Sequence, residues 1–381
     1  MKKIFTLLAL IAIASMLPLG AKNIKTVDIS PDNTLSDQVT PEFGDVDSLI
    51  LTGFMNYYPD LKVIDSLATF HNLTGLNLSD CSMGDDALPP YALSSGFRKF
   101  IVDGEDVYQA NHLYYVTLPK KLRILGECCF YYSTIKCIDI PNTVNTLRIN
   151  AFKGCRELES IVIPEGVPEV ADECFCNCPK LRNVSLPSSC KRILSYAFAF
   201  NENLKEINLP ENLDAIYPYT FTGGGLETIN IPSSVKIIYL DAFYSCEHLK
   251  TIYLHEGLQV FFMGNQFAHL TSLESFYCDI KEPVLFEPGS DPFVGTDQTK
   301  AILYVPVGSK EKYEAAQYWQ DFDNIVEMDM TGISTVKGDR QVTGVRYYNL
   351  AGVESAEPQQ GVNIKVTTYS DGTRSSEKVI K

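Results

Sequence analysis

The sequence predicts a solenoid of right-handed coils, 22–23 residues each, mainly β with short helical turns, followed by a small C-terminal β unit. Two columns and one alternation carry this reading. An apolar-x-apolar tripeptide followed by Pro recurs at Pro119, Pro141, Pro164, Pro187, Pro210 and Pro232, with His255 in the next slot, at spacings of 22, 23, 23, 23, 22 and 23. A Phe follows each anchor, at Phe130, Phe152, Phe175, Phe198, Phe221, Phe243 and Phe267, eleven residues on and twelve in the last coil. Two columns held in step over seven coils mark one structural unit that closes a core only by stacking on its neighbours.

Each column has a physical place. Period-two alternation makes the tripeptide a short strand with one buried face. Val116, Ile138, Ile161, Val184, Ile207, Ile229 and Ile252 form one inward column, and Leu118, Ile140, Ile163, Leu186, Leu209, Ile231 and Leu254 the other. Pro ends the strand, because it has no N–H for a ladder and its φ suits a turn. Further apolar pairs follow, such as Val144/Leu147, Val167/Val170 and Val235/Ile238. An Ala-Phe or Cys-Phe then fills the wide end of the coil. A Leu such as Leu158, Leu181, Leu204 or Leu249 leads into the next strand. Leu49–Leu51, Leu76–Leu78, Phe100–Val102, Phe276–Cys278 and Leu303–Val305 read as further strands, about twelve in all. Residues 22–95 read as divergent N-terminal capping repeats, 96–327 as the solenoid, and 307–327 as a closing segment with a helix around Lys310–Trp319.

The unit Leu-x-x-Ile-x-Ile-Pro-x-x-Val-x-x-Ile-x-x-x-Ala-Phe-x-x-Cys-x-x-Leu resembles the BspA-like leucine-rich repeat family of bacterial surface proteins. Residues 141–164, PNTVNTLRINAFKGCRELESIVIP, follow it almost position for position, and VDSLILTG and LTGLNLSD in 46–94 are similar to the opening repeats of such proteins. The resemblance covers about residues 46–327. It implies a leucine-rich repeat solenoid, surface display, and adhesion to extracellular proteins.

The two ends carry other signals. Lys2, Lys3, the apolar run Ile4–Leu17 and Leu19-Gly20-Ala21 read as a signal peptide over residues 1–21, so the chain is expected to be exported. No Cys follows that run to take a lipid, and no other stretch is long and apolar enough to span a membrane. Residues 328–381 read as a linker and a β tail, with Asp371-Gly372 as a hairpin signal. The tail resembles C-terminal sorting domains of the type IX secretion route, which implies secretion machinery as a partner and surface attachment or cleavage. It has Gly361-Val362-Asn363 where that family has Gly-x-Tyr, and an accessory β unit is the other reading.

Charge narrows the function. The chain carries −15, residues 331–381 carry +2 and the signal segment +2, which leaves −19 on the region between them. Such a body disfavours nucleic acid and anionic membranes. Eleven cysteines suit a disulfide scaffold, yet Cys155, Cys178 and Cys246 each stand three residues after the repeated Phe, as a column of small buried thiols. Cys174-x-Cys176-x-Cys178 resembles a ligand cluster, but Cys174 holds the slot of Ala151, Ala197 and Ala242, so no metal is expected. The five His are scattered, His255 replaces the turn Pro, and Gly223-Gly224-Gly225 reads as a tight bend. No nucleophile–base pair is legible, and neither catalysis nor a cofactor is expected.

What remains is the outward face of the sheet. Thr117, Asp139, Ser185, Asn208, Asn230 and Tyr253 form one row of candidate ligand-binding residues, and Tyr115, Ser160, Asn183, Glu206 and Thr228 another. Hydrogen bonds and ring stacking on such a face suit an extracellular protein or glycan, with Tyr residues and Trp319 as anchors. A structural or assembly component of the cell envelope is the alternative function.

Overall fold

The computed structural model describes residues 23–55, 57–95, 98–102, 105–109, 112–286, 290–330, 342–349, 354–360, 362–369 and 374–381. The signal peptide at 1–21, Gly361 and the Asp371-Gly372 turn lie outside the described residues.

The chain is a leucine-rich repeat solenoid of three-sided coils. Among the described residues its first side is a parallel sheet of twelve strands in three hydrogen-bonded runs. The first run orders Ile24–Ile29, Ser48–Phe54, Gly75–Ser82, Tyr115–Thr117 and Cys137–Asp139. Ser160–Val162 pairs with Asn183–Ser185 in the second. The third orders Thr228–Ile231, Thr251–His255, Ser275–Asp279, Ile302–Pro306 and Asn324–Met328. The predicted inward columns are buried, from Val116 through Ile161 and Ile229 to Ile252, except for Leu186, which is half-buried. The apolar pairs after each Pro form the second side, a parallel set of two-residue strands such as Thr146–Leu147 on Ile124–Leu125 and Ile237–Ile238 on Ala215–Ile216.

The expected strand at Phe100–Val102 does not join the main sheet. Arg98–Val102 pairs antiparallel with Glu105–Gln109, and Gly75–Ser82 pairs directly with Tyr115–Thr117. Only two residues separate these strands in the sequence, and so short a connection leaves no room for the crossover that parallel strands need. In exchange, the capping segments supply two strands of their own, Ile24–Ile29 and Asn324–Met328. The N-terminal segment also holds a helix, Tyr57–Phe70, whose buried Asp60 accepts the backbone N–H of Leu35 at 2.7 Å. The closing helix is shorter than expected, Lys310–Ala315.

The third side is built on the Phe column. Eight rings stack from Phe130 to Phe293 with centroids 5.1–6.1 Å apart. The backbone around them is unusual, with positive φ both two residues before and two after the Phe. Asn150 and Gly154 flank Phe152, Glu173 and Asn177 flank Phe175, and Tyr196 and Phe200 flank Phe198. Left-handed backbone costs an L residue about 1–2 kcal/mol. Here it turns alternate N–H groups toward the next coil. Asn150, Phe152 and Gly154 donate to the carbonyls of Asp172, Cys174 and Cys176 at 3.1, 2.9 and 2.8 Å, and Glu173, Phe175 and Asn177 repeat the pattern onto Ser195, Ala197 and Ala199. Three inter-coil bonds at each turn offset the strain.

The column three residues after the Phe supplies side-chain donors in five coils. Cys155, Cys178 and Cys246 Sγ donate to the carbonyls of Phe130, Phe152 and Phe221 at 3.1–3.2 Å, and Asn201 and Thr296 make the same bond to Phe175 and Phe267. The thiols therefore do more than fill space. Ten of the eleven cysteines, every one but Cys137, are buried and free. Burial pushes Cys246 and Cys278 up to about 12, so these thiols are poor nucleophiles in the folded chain.

The glycine triplet is the expected tight bend with a steric reason. Gly223 sits at φ 62° beneath the ring of Phe200, and a Cβ on Gly225 would stand 1.9 Å from the carbonyl oxygen of Glu202. In the tail, strands Val342–Asn349, Glu354–Ser355, Val362–Tyr369 and Arg374–Ile380 form an antiparallel sheet. Its buried Asn363, at the position where the sequence departs from Gly-x-Tyr, bonds both backbone polar groups of Gln359.

Two substitutions test this architecture by urea unfolding. Phe175→Ala is expected to lower stability by about 3–5 kcal/mol and Phe175→Leu by less, because the cavity is smaller. Gly225→Ala is expected to cost about 1–3 kcal/mol, since the two coils must separate to admit one methyl group.

Candidate functional site

The predicted rows lie where alternation places them. In Tyr115–Thr117, Ser160–Val162 and Asn183–Ser185 the central residue is buried and its neighbours are half-buried. Register puts Thr117 beside Asp139, Ser160 beside Asn183, Thr228 beside Thr251 and Asn230 beside Tyr253. Asn208 and Asn230 are exposed. Glu206 and Asn208 do not share in this pairing. Their segment is not a ladder strand, and the sheet is interrupted on both sides of it. The candidates thus fall into groups on separate runs of strands.

The row that begins at Thr117 continues beyond Tyr253 to Tyr277, Tyr304 and Val326. The three tyrosines stack with centroids 4.7 and 4.5 Å apart and planes within 11° and 7°. The facing sides of the rings cover one another, and the Tyr277 hydroxyl is hydrogen-bonded to Ser275 and Tyr304. The rows read from the sequence end at Tyr253, although Tyr277 and Tyr304 are the middle residues of strands legible in the sequence. The longer loops between those strands hid the column. Tyr115, at the other end, packs edge-on against Tyr114 at 6.5 Å.

Trp319 is not an exposed anchor. It is fully buried, its Nε1 donates to the carbonyl of Val284 at 3.0 Å, and it packs among Phe276, Phe286 and Phe293. A ring of this size closes the open end of the core, which is where a terminal coil needs apolar area.

His255 is more than a substitute for Pro. It is 5% exposed, and its Nε2 donates to Asn230 Oδ1 at 2.7 Å, which fixes the tautomer and leaves Nδ1 as a buried acceptor without a protein partner. Register sets Asp279 beside it. Burial holds the imidazole below its ordinary range, while Asp279 and Glu211 pull the other way. Burial likewise raises Asp279, against the pull of His255.

Elsewhere, Lys153, Glu173, Cys176, Asn177, Tyr196 and Phe200 line an open depression of 690 Å³ on the phenylalanine side. Lys153 and Glu173 are ion-paired there. Of the Cys-x-Cys-x-Cys run, Cys178 is engaged as a donor and Cys174 is fully buried, and among the described residues no three His, Cys, Asp or Glu side chains are grouped as a metal ion would need. Among the described residues, no helix is long and apolar enough to cross a membrane.

The BspA type leucine rich repeat region matches this chain in six copies, over residues 104–199 and 169–282. Similar solved structures include a leucine-rich repeat protein from Bacteroides ovatus, 18% identical, covering 76% of this chain and 97% of that one at a TM-score of 0.36. A leucine rich cell surface protein from Faecalibacterium prausnitzii is 18% identical, with coverage of 81% and 92% and a TM-score of 0.36. The pneumococcal vaccine antigen PcpA is 15% identical, with coverage of 81% and 95% and a TM-score of 0.33. No curated protein matches the chain.

His255 gives this face a pH dependence whose sign follows from its burial. The unfolded chain takes up the imidazole proton at ordinary pH and the folded chain resists it, so the stabilisation is present above about pH 6.5 and is lost as the pH falls toward the folded value. His255→Asn is therefore expected to flatten the fall in melting temperature between neutral and mildly acid pH. Identical slopes in variant and parent would contradict the assignment.

Proposed function

We propose that this chain is an exported, surface-displayed binding protein that recognises an extracellular protein or glycan through the outer face of its solenoid sheet. One observation carries the reading: from Thr228 to the last strand, neither outward row holds a charge, in a body that carries −19. Solvated surfaces of acidic proteins hold their charges broadly distributed, whereas the centres of binding patches are depleted of charge and enriched in tyrosine. The BspA-type repeats and the apolar N-terminal segment support display outside the cytoplasm. On this reading the β tail engages the secretion machinery.

Protease shaving of intact cells and a binding panel of matrix proteins and neutral glycans test this together. The chain is expected to be cleaved from outside and to bind a panel member. Changing Tyr115 and Tyr253 to Ala is expected to weaken that binding at least tenfold. A wholly periplasmic pool, or binding indifferent to every sheet-face substitution, would overturn the proposal.

A further inference from the structure

Resting on that reading, we infer that the partner is a protein, not a glycan, and that it docks on the C-terminal half of the sheet face with a rim of basic residues around an uncharged centre. The centre of this surface is Tyr253, Tyr277, Tyr304 and Val326, one residue from each of four adjacent strands in register. Val326, at 42% exposure, ends the row on the last strand, and Val307 beyond the neighbouring strand is 69% exposed.

The geometry of the rings selects the class of partner. A sugar binds an aromatic residue by laying its C–H face on an open ring face. Here the rings stack on one another at 4.5–4.7 Å, so no sugar fits between them, and strand alternation leaves a strip of ring edges as the outward surface. Ring edges pack against aliphatic and aromatic side chains, and the hydroxyls bond backbone carbonyls. Tyrosines held by stacking have already lost most of their rotamer freedom, so less entropy is lost when a partner covers them.

Charge selects the rim. At the C-terminal ends of the strands Asp279 stands beside His255 in register, Glu256 follows His255 in the chain, and Glu211 acts on the imidazole from the preceding coils, with Lys281 the cation acting on Asp279. This border and the −19 body repel polyanions, anionic membranes and a second copy of the chain, and they attract a surface edged with Lys and Arg. Complementary charge raises the association rate, and the uncharged centre supplies the contact that persists.

Panning the intact chain with a random-peptide phage library, beside an array of neutral oligosaccharides, tests the inference. Peptides combining apolar residues with Lys or Arg are expected to be enriched, and synthetic versions to bind Tyr277→Ala and Tyr304→Ala at least tenfold more weakly. Tyr277→Phe, which keeps the stack, reports on the hydroxyl and should fall between. Glu256→Gln with Asp279→Asn should slow association and flatten its salt dependence. Melting temperature verifies that each variant is folded. Binding of oligosaccharides alone overturns the inference and leaves the binding role standing. So does peptide binding that survives Tyr277→Ala and is lost in Asn183→Ala with Ser185→Ala. Binding that no sheet-face substitution alters overturns both.

Discussion

Everything in this molecule depends on the way one coil hands hydrogen bonds to the next. At the phenylalanine side there is no β-strand to do it. Left-handed residues two before and two after each Phe instead aim three alternate N–H groups at the carbonyls of the following coil. Successive N–H groups turned to one side are a strong acceptor-seeking array, and here the acceptor is always another coil. The strain at Glu173, Tyr196 or Phe200 is tolerable only inside the stack, so a single coil has no stable existence of its own.

The interior follows from that constraint. Neighbouring coils stand at ladder spacing, and the Phe rings, carried at one position per coil, stack with centroids 5.1–6.1 Å apart. The Phe carbonyl would otherwise be under-satisfied in an apolar core, and the column three residues on answers it with whatever small donor fits. Cys155, Cys178, Asn201, Cys246 and Thr296 are chemically different and perform one task. A thiol suits the place because it is apolar enough to bury and still carries a weak donor.

The same spacing shapes the outer face. Tyrosines one strand apart must either splay or stack, and Tyr253, Tyr277 and Tyr304 stack. A ladder of this kind trades open ring faces for a continuous strip of edges. Beside it the buried His255 and its carboxylate neighbours give the strip a charged border. The face offers contact area and charge pattern, and no convergence of reactive groups is needed for either.

The solenoid, its inward columns, the Phe ladder and the Pro-terminated strands were legible in the sequence, because each is a periodic pattern and period is what a sequence displays directly. The outward rows of the regular coils were legible for the same reason. Other features depended on distance in space. Arg98–Val102 pairs antiparallel with Glu105–Gln109, and only the pairing shows that Gly75–Ser82 meets Tyr115–Thr117 without it. Trp319 reads as a surface anchor in a charged segment, yet the open end of the core takes it in. Tyr277 and Tyr304 join Tyr253 only when loops of unequal length are folded away and the strands lie side by side. His255 marks a missing proline in the chain, and becomes a buried imidazole only against Asn230 and Asp279 of the neighbouring coils. Local periodicity determined the coil. What stands next to what between coils, and therefore the candidate site, was decided by stacking.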